Sequence, residues 1–259
     1  MKIYQVDAFS DKPFKGNPAA VCILKESSPE KWMQDVASEM NLAETAFLVP
    51  MNNDYNLRWF TPNSEVDLCG HATLASAHIL WEKGYLRKGQ EANFHTRSGL
   101  LTAQIAENWI QLNFPTTQEE KTDVPAELIE ALKIDPIYAG KSIFDYLIEV
   151  ESEDIVKNMA PDFTKLLKVP MRGVIVTAKA ADYDFVSRFF APEVGIFEDP
   201  VTGSAHCCLG PYWNKKLGKD KLIAYQASER GGVLKVQVNG DRVLISGKAV
   251  TVMEGDLFY

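Results

Sequence analysis

Asp54-Tyr55-Asn56-Leu57-Arg58-Trp59-Phe60-Thr61-Pro62 and Asp184-Phe185-Val186-Ser187-Arg188-Phe189-Phe190-Ala191-Pro192 are two versions of one phrase, set 130 residues apart. Aspartate, arginine, phenylalanine and proline recur in place, and the aromatic positions exchange only among aromatics. A short loop follows each copy and runs into a glycine-led, small-residue segment: Gly70-His71-Ala72-Thr73 in one, Gly203-Ser204-Ala205-His206 in the other. Each of these segments reads as a helix with a late tryptophan, Trp81 or Trp213, and a glycine near its end, Gly84 or Gly218. A repeat at half the chain length predicts two similar domains, not a solenoid. The polar stretch 115–125, bracketed by prolines, is the linker such a duplication requires. The expected domains are residues 1–117 and 118–259, with a C-terminal strand able to cross back to the first.

Outward from the repeat, the elements alternate between strand and helix patterns. Residues 2–8 alternate, with Ile3, Gln5 and Asp7 on one face and Tyr4, Val6 and Ala8 on the other. Ser27 with Glu30 makes a capping box, or Ser28 caps with Pro29 at the first helical position, ahead of a helix over 29–40. A helix over 71–83 and strands over 90–95, 100–105 and 108–113 follow. Pro211 falls inside the second repeat helix and predicts a bend.

Composition bounds the function. The chain has 259 residues, 46% hydrophobic and 24% charged, with a net charge of −8 and no basic run. That is a globular mixture with no general affinity for nucleic acid or anionic lipid. No apolar stretch reaches the ~18 residues of a membrane span. The opening residues read as a strand rather than a signal peptide. The four cysteines, Cys22, Cys69, Cys207 and Cys208, are too few and too scattered for a disulfide framework. A cytoplasmic protein with reduced thiols is the expectation.

Several residues carry candidate chemistry. Glu44, in an apolar stretch, is either a surface carboxylate at a helix-to-strand turn or a partly buried acid whose pKa burial would raise. Asp199, before Pro200, either shapes a turn and cap or acts as a second acid. His71 stands at the first glycine-led helix start, as a hydrogen-bonded side chain or as a proton-transfer partner. His78 reads as structural. Ser204 lacks the surroundings of a hydrolase nucleophile. Cys69, His71, His206, Cys207 and Cys208 match no common zinc spacing, so no metal is expected. Dinucleotide and phosphate loops and a Schiff-base lysine motif are absent from the sequence, so no cofactor is expected. The two glycine-led helix starts present free backbone N–H groups and partial positive charge, suited to a small carboxylate.

Together these residues resemble the PhzF-like family, named for an isomerase of phenazine biosynthesis. The resemblance is carried by Asp7-Ala8-Phe9, Gly16-Asn17-Pro18-Ala19-Ala20-Val21, Ala43-Glu44-Thr45, Phe60-Thr61-Pro62, Leu68-Cys69-Gly70-His71-Ala72-Thr73 and residues 198–206, in this order and spacing. It implies an α+β, diaminopimelate epimerase-like fold: two domains, each a curved mixed sheet or barrel around a central helix, with the active site in the cleft between them. It implies Glu44 as general acid/base, Asp199 and His71 as its catalytic support, and Gly70, His71, Gly203, Ser204 and Asn17 as substrate-binding groups. It also implies a homodimer. The epimerase relatives use one thiol per domain. Here Cys69 has no counterpart before Gly203, which favours a one-base isomerase of a small acid over a cysteine epimerase or a non-catalytic binder.

Overall fold

The computed structural model describes residues 1–258. Its contacts divide the chain into two units, Met1–Phe114 with the residues from Ile245 onward, and Pro115–Leu244. The division falls three residues before the one expected, and the tail from Ile245 crosses back to the first unit, as the expectation allowed. The tail strand's pairing explains this, as described next.

The first unit contains β1 (Lys2–Ala8), β2 (Asn17–Ile23), α1 (Glu30–Met40), β3 (Glu44–Met51), β4 (Asp54–Phe60), β5 (Glu65–Val66), α2 (Gly70–Glu82), β6 (Ala92–Thr96), β7 (Gly99–Ala106) and β8 (Trp109–Pro115). The second begins with β9 (Glu120–Lys121), α3 (Ala126–Leu132), β10 (Tyr138–Lys141), β11 (Asp145–Glu149), α4 (Glu153–Asn158) and α5 (Phe163–Leu166). It continues with β12 (Gly173–Lys179), β13 (Phe185–Ala191), β14 (Ile196–Asp199), α6 (Gly203–Leu217), β15 (Lys221–Gln226), β16 (Gly232–Asn239) and the start of β17 (Arg242–Gly247). The last strand, β18 (Ala249–Asp256), lies antiparallel to β1, with Lys2 opposite Asp256.

The duplication is visible strand by strand. In the first unit β2 runs parallel to β3, β3 antiparallel to β4, β4 parallel to β6 and β6 antiparallel to β7. In the second, β11 runs parallel to β12, β12 antiparallel to β13, β13 parallel to β15 and β15 antiparallel to β16. These mixed sheets with few helices form an α+β fold. The repeated phrase is β4 and β13, and its arginines do the same work twice. Arg58 grips Glu65 through two hydrogen bonds of 2.7 and 2.5 Å, and its guanidinium lies 5.1 Å from the Phe60 ring centre. Arg188 grips Glu198 at 2.7 and 2.8 Å and lies 5.0 Å from Phe190. Each bidentate pair ties the strand to the loop that leads into the glycine-led helix.

Those helices are the buried centres of their units. In α2 every residue from His71 to Trp81 except His78 is buried. A helix apolar on all sides must be enclosed. It packs against β1, β2, β3 and β18. The outer face of the same sheet carries a second cluster, with Ile3, Ala20, Cys22, Phe47 and Phe60 against Met33, Val36 and Ala37 of α1. β1 is therefore covered on both faces, and its burial does not alternate as the sequence suggested. In the second unit, α3, α4 and α5 cover the corresponding outer face.

Three local expectations change. Helix α1 begins at Glu30 after an uncapped Pro29, and neither serine caps it. Pro29 sits in extended backbone, and the Glu30 carboxylate is drawn instead to Arg58 at 2.7 Å. Helix α2 begins at Gly70 and ends at Glu82. Helix α6 continues unbroken through Pro211. Its Gly210 is explained by close packing, because a Cβ there would meet Val236 at 2.9 Å.

The loop before β2 is the tightest point of the first unit. The Asp7 carboxylate accepts a 2.6 Å hydrogen bond from the Phe14 N–H, and Gly16 adopts φ +67°. A Cβ at Gly16 would lie 2.1 Å from the Ala8 carbonyl oxygen. We expect Gly16→Ala to cost about 3 kcal/mol of stability, from a left-handed backbone and an unyielding main-chain clash. A urea midpoint within error of wild type would refute this.

Candidate active site

In the first unit, the start of β3 meets the start of α2. Glu44 is the first residue of β3, and its carboxylate Oε2 lies 3.0 Å from His71 Nε2. The other ring nitrogen, His71 Nδ1, lies 3.1 Å from the Asn17 side-chain amide at the start of β2. Cys69, the residue before α2, places its Sγ 3.6 Å from Nδ1 and 4.0 Å from Nε2 of the same ring. All four side chains are buried: Glu44 is 9% exposed, Cys69 6%, His71 5% and Asn17 0%. Sequence reading nominated Glu44, His71 and Asn17, and the fold brings them together. Cys69, named in the sequence only as the thiol of the rival epimerase reading and as an unmatched metal ligand, lies in the same cluster.

The electrostatics follow from that burial. Burial is the largest influence on His71 and disfavours its cation. Contact with Cys69 and with Glu44 outweighs it and holds the imidazole pKa well above its usual 6.5. Burial first, and Glu44 second, push the Cys69 thiol up to about 11, so near neutral pH it keeps its proton. When His71 is neutral, the Asn17 amide N–H donates to Nδ1; when both ring nitrogens carry protons, the amide must present its oxygen.

In the second unit, Asp199 ends β14 and accepts a 2.6 Å hydrogen bond from the Thr202 hydroxyl. Gln226, a buried residue of β15 that no motif announced, clamps this loop. Its amide donates to the Asp199 carbonyl at 2.7 Å, and its oxygen accepts from the Thr202 N–H at 2.8 Å. Ser204 lies in the first turn of α6, 3.5 Å from the Arg172 guanidinium, which is paired with the Asp145 carboxylate. Neither α2 nor α6 has a side-chain cap at its start. The backbone N–H groups of Gly70, His71, Gly203 and Ser204 thus begin two uncapped helices, a setting that suits anions.

Registering the two units against each other exposes an asymmetry. β2 and β3 begin their pairing at Ala19 with Glu44, whereas β11 and β12 begin theirs at Asp145 with Gly173. Gly173 thus occupies the position of Glu44. A Cβ there would lie 2.4 Å from the Phe189 ring, so no side chain fits. Likewise Thr202 stands where Cys69 does, and Ser204 where His71 does, each counted from the helix-starting glycine.

The remaining histidines divide cleanly. His78 lies 3.1 Å from the Thr251 hydroxyl and His95 2.9 Å from Asp54. His206 is fully buried, donates from Nδ1 to the Thr202 carbonyl at 2.8 Å, and has no partner at Nε2 among the described residues. Burial lowers its pKa to about 4. Between pH ~6.5 and ~4 the unfolded chain binds a proton that the folded chain refuses, so stability falls as pH falls through this window. The expected loss is about 3 kcal/mol by pH 4, and His206→Asn should flatten that part of the profile. Denaturant melts at pH 7, 5.5 and 4.5 test it, and an unaltered slope in the variant would exclude His206 as its source.

The four cysteines are all unpaired and buried. Among the described residues, no helix is long and apolar enough to cross a membrane.

Comparison with known proteins places this geometry. The family profile described as phenazine biosynthesis-like protein matches residues 6–255. An uncharacterized isomerase of Halalkalibacterium halodurans is 57% identical, over 98% of this chain and 97% of the relative. The crystal structure of a phenazine biosynthesis protein of the PhzF family from Enterococcus faecalis superposes with a TM-score of 0.95 at 42% identity, covering 100% of this chain and 99% of that one. A probable proline racemase from Agrobacterium radiobacter shares the fold, with a TM-score of 0.69 at 11% identity over 99% of this chain and 92% of that one.

Proposed function

The chain belongs to the phenazine biosynthesis-like protein family, and on that premise we propose that it is a cofactor-independent isomerase that moves a proton on a small carboxylic acid, with Glu44 as the single acid/base. The observation that carries this reading is the lone carboxylate. Glu44 is buried against His71 at 3.0 Å, while its counterpart in the repeat is a glycine with no room for a side chain.

In this mechanism the Glu44 carboxylate takes a proton from substrate carbon. The electron pair left behind spreads toward the substrate's carboxylate or double bond. Backbone N–H groups at Gly70 and His71, at the uncapped start of α2, bind that carboxylate; one such donor contributes about 3 kcal/mol to a developing anion. Glu44, now protonated, returns the proton to another carbon of the same molecule. His71 holds Glu44 in place, and Asn17 holds His71. In the second unit, Asp199 is kept in position by Thr202 and Gln226. The reading also carries the family's expected homodimer and cytoplasmic setting, and light scattering of the purified protein tests the former.

A cysteine epimerase is the second reading, favoured by Cys69 lying 3.6 Å from the His71 ring. Proton NMR in D2O separates the two. Small amino, enoic and dihydro-hydroxyaromatic acids are screened for isomerisation or deuterium uptake at carbon. The one-base reading expects Cys69→Ser to keep turnover within a few-fold of wild type. Loss of a hundredfold or more in that variant would move the chemistry to the thiol.

A further inference from the structure

Among the described residues, one group of side chains has the makings of a metal site, and it coincides with the proposed base. The ligand atoms of Glu44, Cys69 and His71 all lie within 4.8 Å of one another, and all three residues are buried. The individual spacings are 3.0 Å from His71 Nε2 to Glu44 Oε2 and 4.0 Å from Nε2 to Cys69 Sγ. Tetrahedral zinc, with bonds of about 2.0–2.3 Å, sets its ligands about 3.3–3.7 Å apart. The two spacings to Nε2 bracket that range, and the third, between Glu44 and Cys69, is no more than 4.8 Å, so side-chain rotation of up to about an ångström would close the cage.

We propose that Glu44, Cys69 and His71 form a binding site for a thiophilic divalent cation of the zinc class, and that its occupation switches the enzyme off. The donor set is a thiolate, an imidazole and a carboxylate, a mixture that suits zinc and excludes magnesium and calcium, which take oxygen ligands. Asn17 supplies the outer contact such a site needs. With the metal on Nε2, the ring proton sits on Nδ1, and the amide oxygen of Asn17 can accept it. Three protein ligands leave a fourth position for water. Binding forms sulfur–metal and nitrogen–metal bonds and releases the Cys69 thiol proton and the His71 Nε2 proton to solvent. The metal also takes the Glu44 lone pair that would otherwise remove the substrate proton, which makes it an inhibitor rather than a cofactor.

The duplicated unit serves as an internal comparison. At the positions of Glu44, Cys69 and His71 it has Gly173, Thr202 and Ser204, none of which completes a zinc site. The stoichiometry is therefore one ion per chain.

Inhibition rests on the isomerase reading, but binding does not, and the two are tested separately. Zinc chloride is titrated into the full-length, metal-free protein by calorimetry. Cobalt chloride is titrated in parallel and followed by its thiolate charge-transfer absorption. We expect one equivalent bound at micromolar or lower concentration, a thiolate band with cobalt, and binding at least ~30-fold weaker in Cys69→Ser and in His71→Gln. X-ray absorption at the zinc edge of the wild-type protein should show one sulfur at about 2.3 Å with nitrogen or oxygen neighbours, a readout that needs no variant to fold. Binding unchanged by Cys69→Ser, a sulfur-free zinc spectrum, or no binding at micromolar zinc would each overturn the site. If zinc binds as expected but proton exchange continues at full rate with the site occupied, the site stands and the inhibition is wrong. If no acid exchanges in the metal-free protein either, the isomerase reading fails while the metal result is kept.

Discussion

Glu44→Gln is expected to lower turnover by 10²–10⁴-fold, the range general acid/base catalysis contributes, while KM shifts by only a few-fold. The substitution keeps volume and the close approach to His71 but removes the base, so the loss should appear in kcat. The repeat sharpens the expectation. Gly173, at the same register in the second unit, can offer no substitute carboxylate. Rates of deuterium uptake measured by NMR for wild type and variant decide the matter. A variant within tenfold of wild type would mean that another group moves the proton. Glu44→Asp, which keeps the charge but withdraws it by one methylene, should fall between the two, because proton transfer needs the base within about 3 Å of the carbon-bound hydrogen's path.

The largest expected effect on stability is Trp213→Ala, at about 4 kcal/mol. Trp213 is 2% exposed and stacks on Phe185, with ring centres 5.6 Å apart and planes inclined by 6°. Tyr212 meets it edge-on at 5.6 Å. Its indole N–H donates to the Thr177 hydroxyl at 3.0 Å, and that hydroxyl donates onward to the Val186 carbonyl at 2.6 Å. Truncation leaves a cavity, ends the ring contacts and strands a buried hydroxyl acceptor. Because α6 is the central helix of its unit, the loss should be felt by the β12 and β13 amides. Hydrogen exchange of these strands should speed up by two to three powers of ten, in step with a lower urea midpoint. A loss below ~1.5 kcal/mol would show that the centre collapses around the missing ring.

Much of this was readable before any coordinates. The repeated phrase predicted two similar units, and the fold shows why its members recur. Arg58 and Arg188 each clamp a glutamate on the loop that delivers a glycine-led helix, and Phe60 and Phe190 each lie beneath an arginine. Glu44 stood out because a carboxylate in an apolar stretch is chemically conspicuous. Other features were illegible because they depend on partners distant in sequence. The serine cap of α1 failed because Arg58, from another strand, draws Glu30 away. The alternation of β1 misled because helices distant in sequence cover both of its faces, α2 on one and α1 on the other. Gln226 carries no motif, and only its hydrogen bonds to the Asp199–Thr202 loop reveal its task.

By itself, the sequence determined the duplication, the two helix starts and the residues with chemistry to offer, because spacing and residue type are local properties. The tertiary structure alone decided which of those residues meet. It joined Cys69 to Glu44 and His71, and it set Gly173 opposite Asp145 where a second base would have stood. Both outcomes follow from strand register and close packing, which pair residues far apart in the chain and leave no room at Gly173 for even a methyl group.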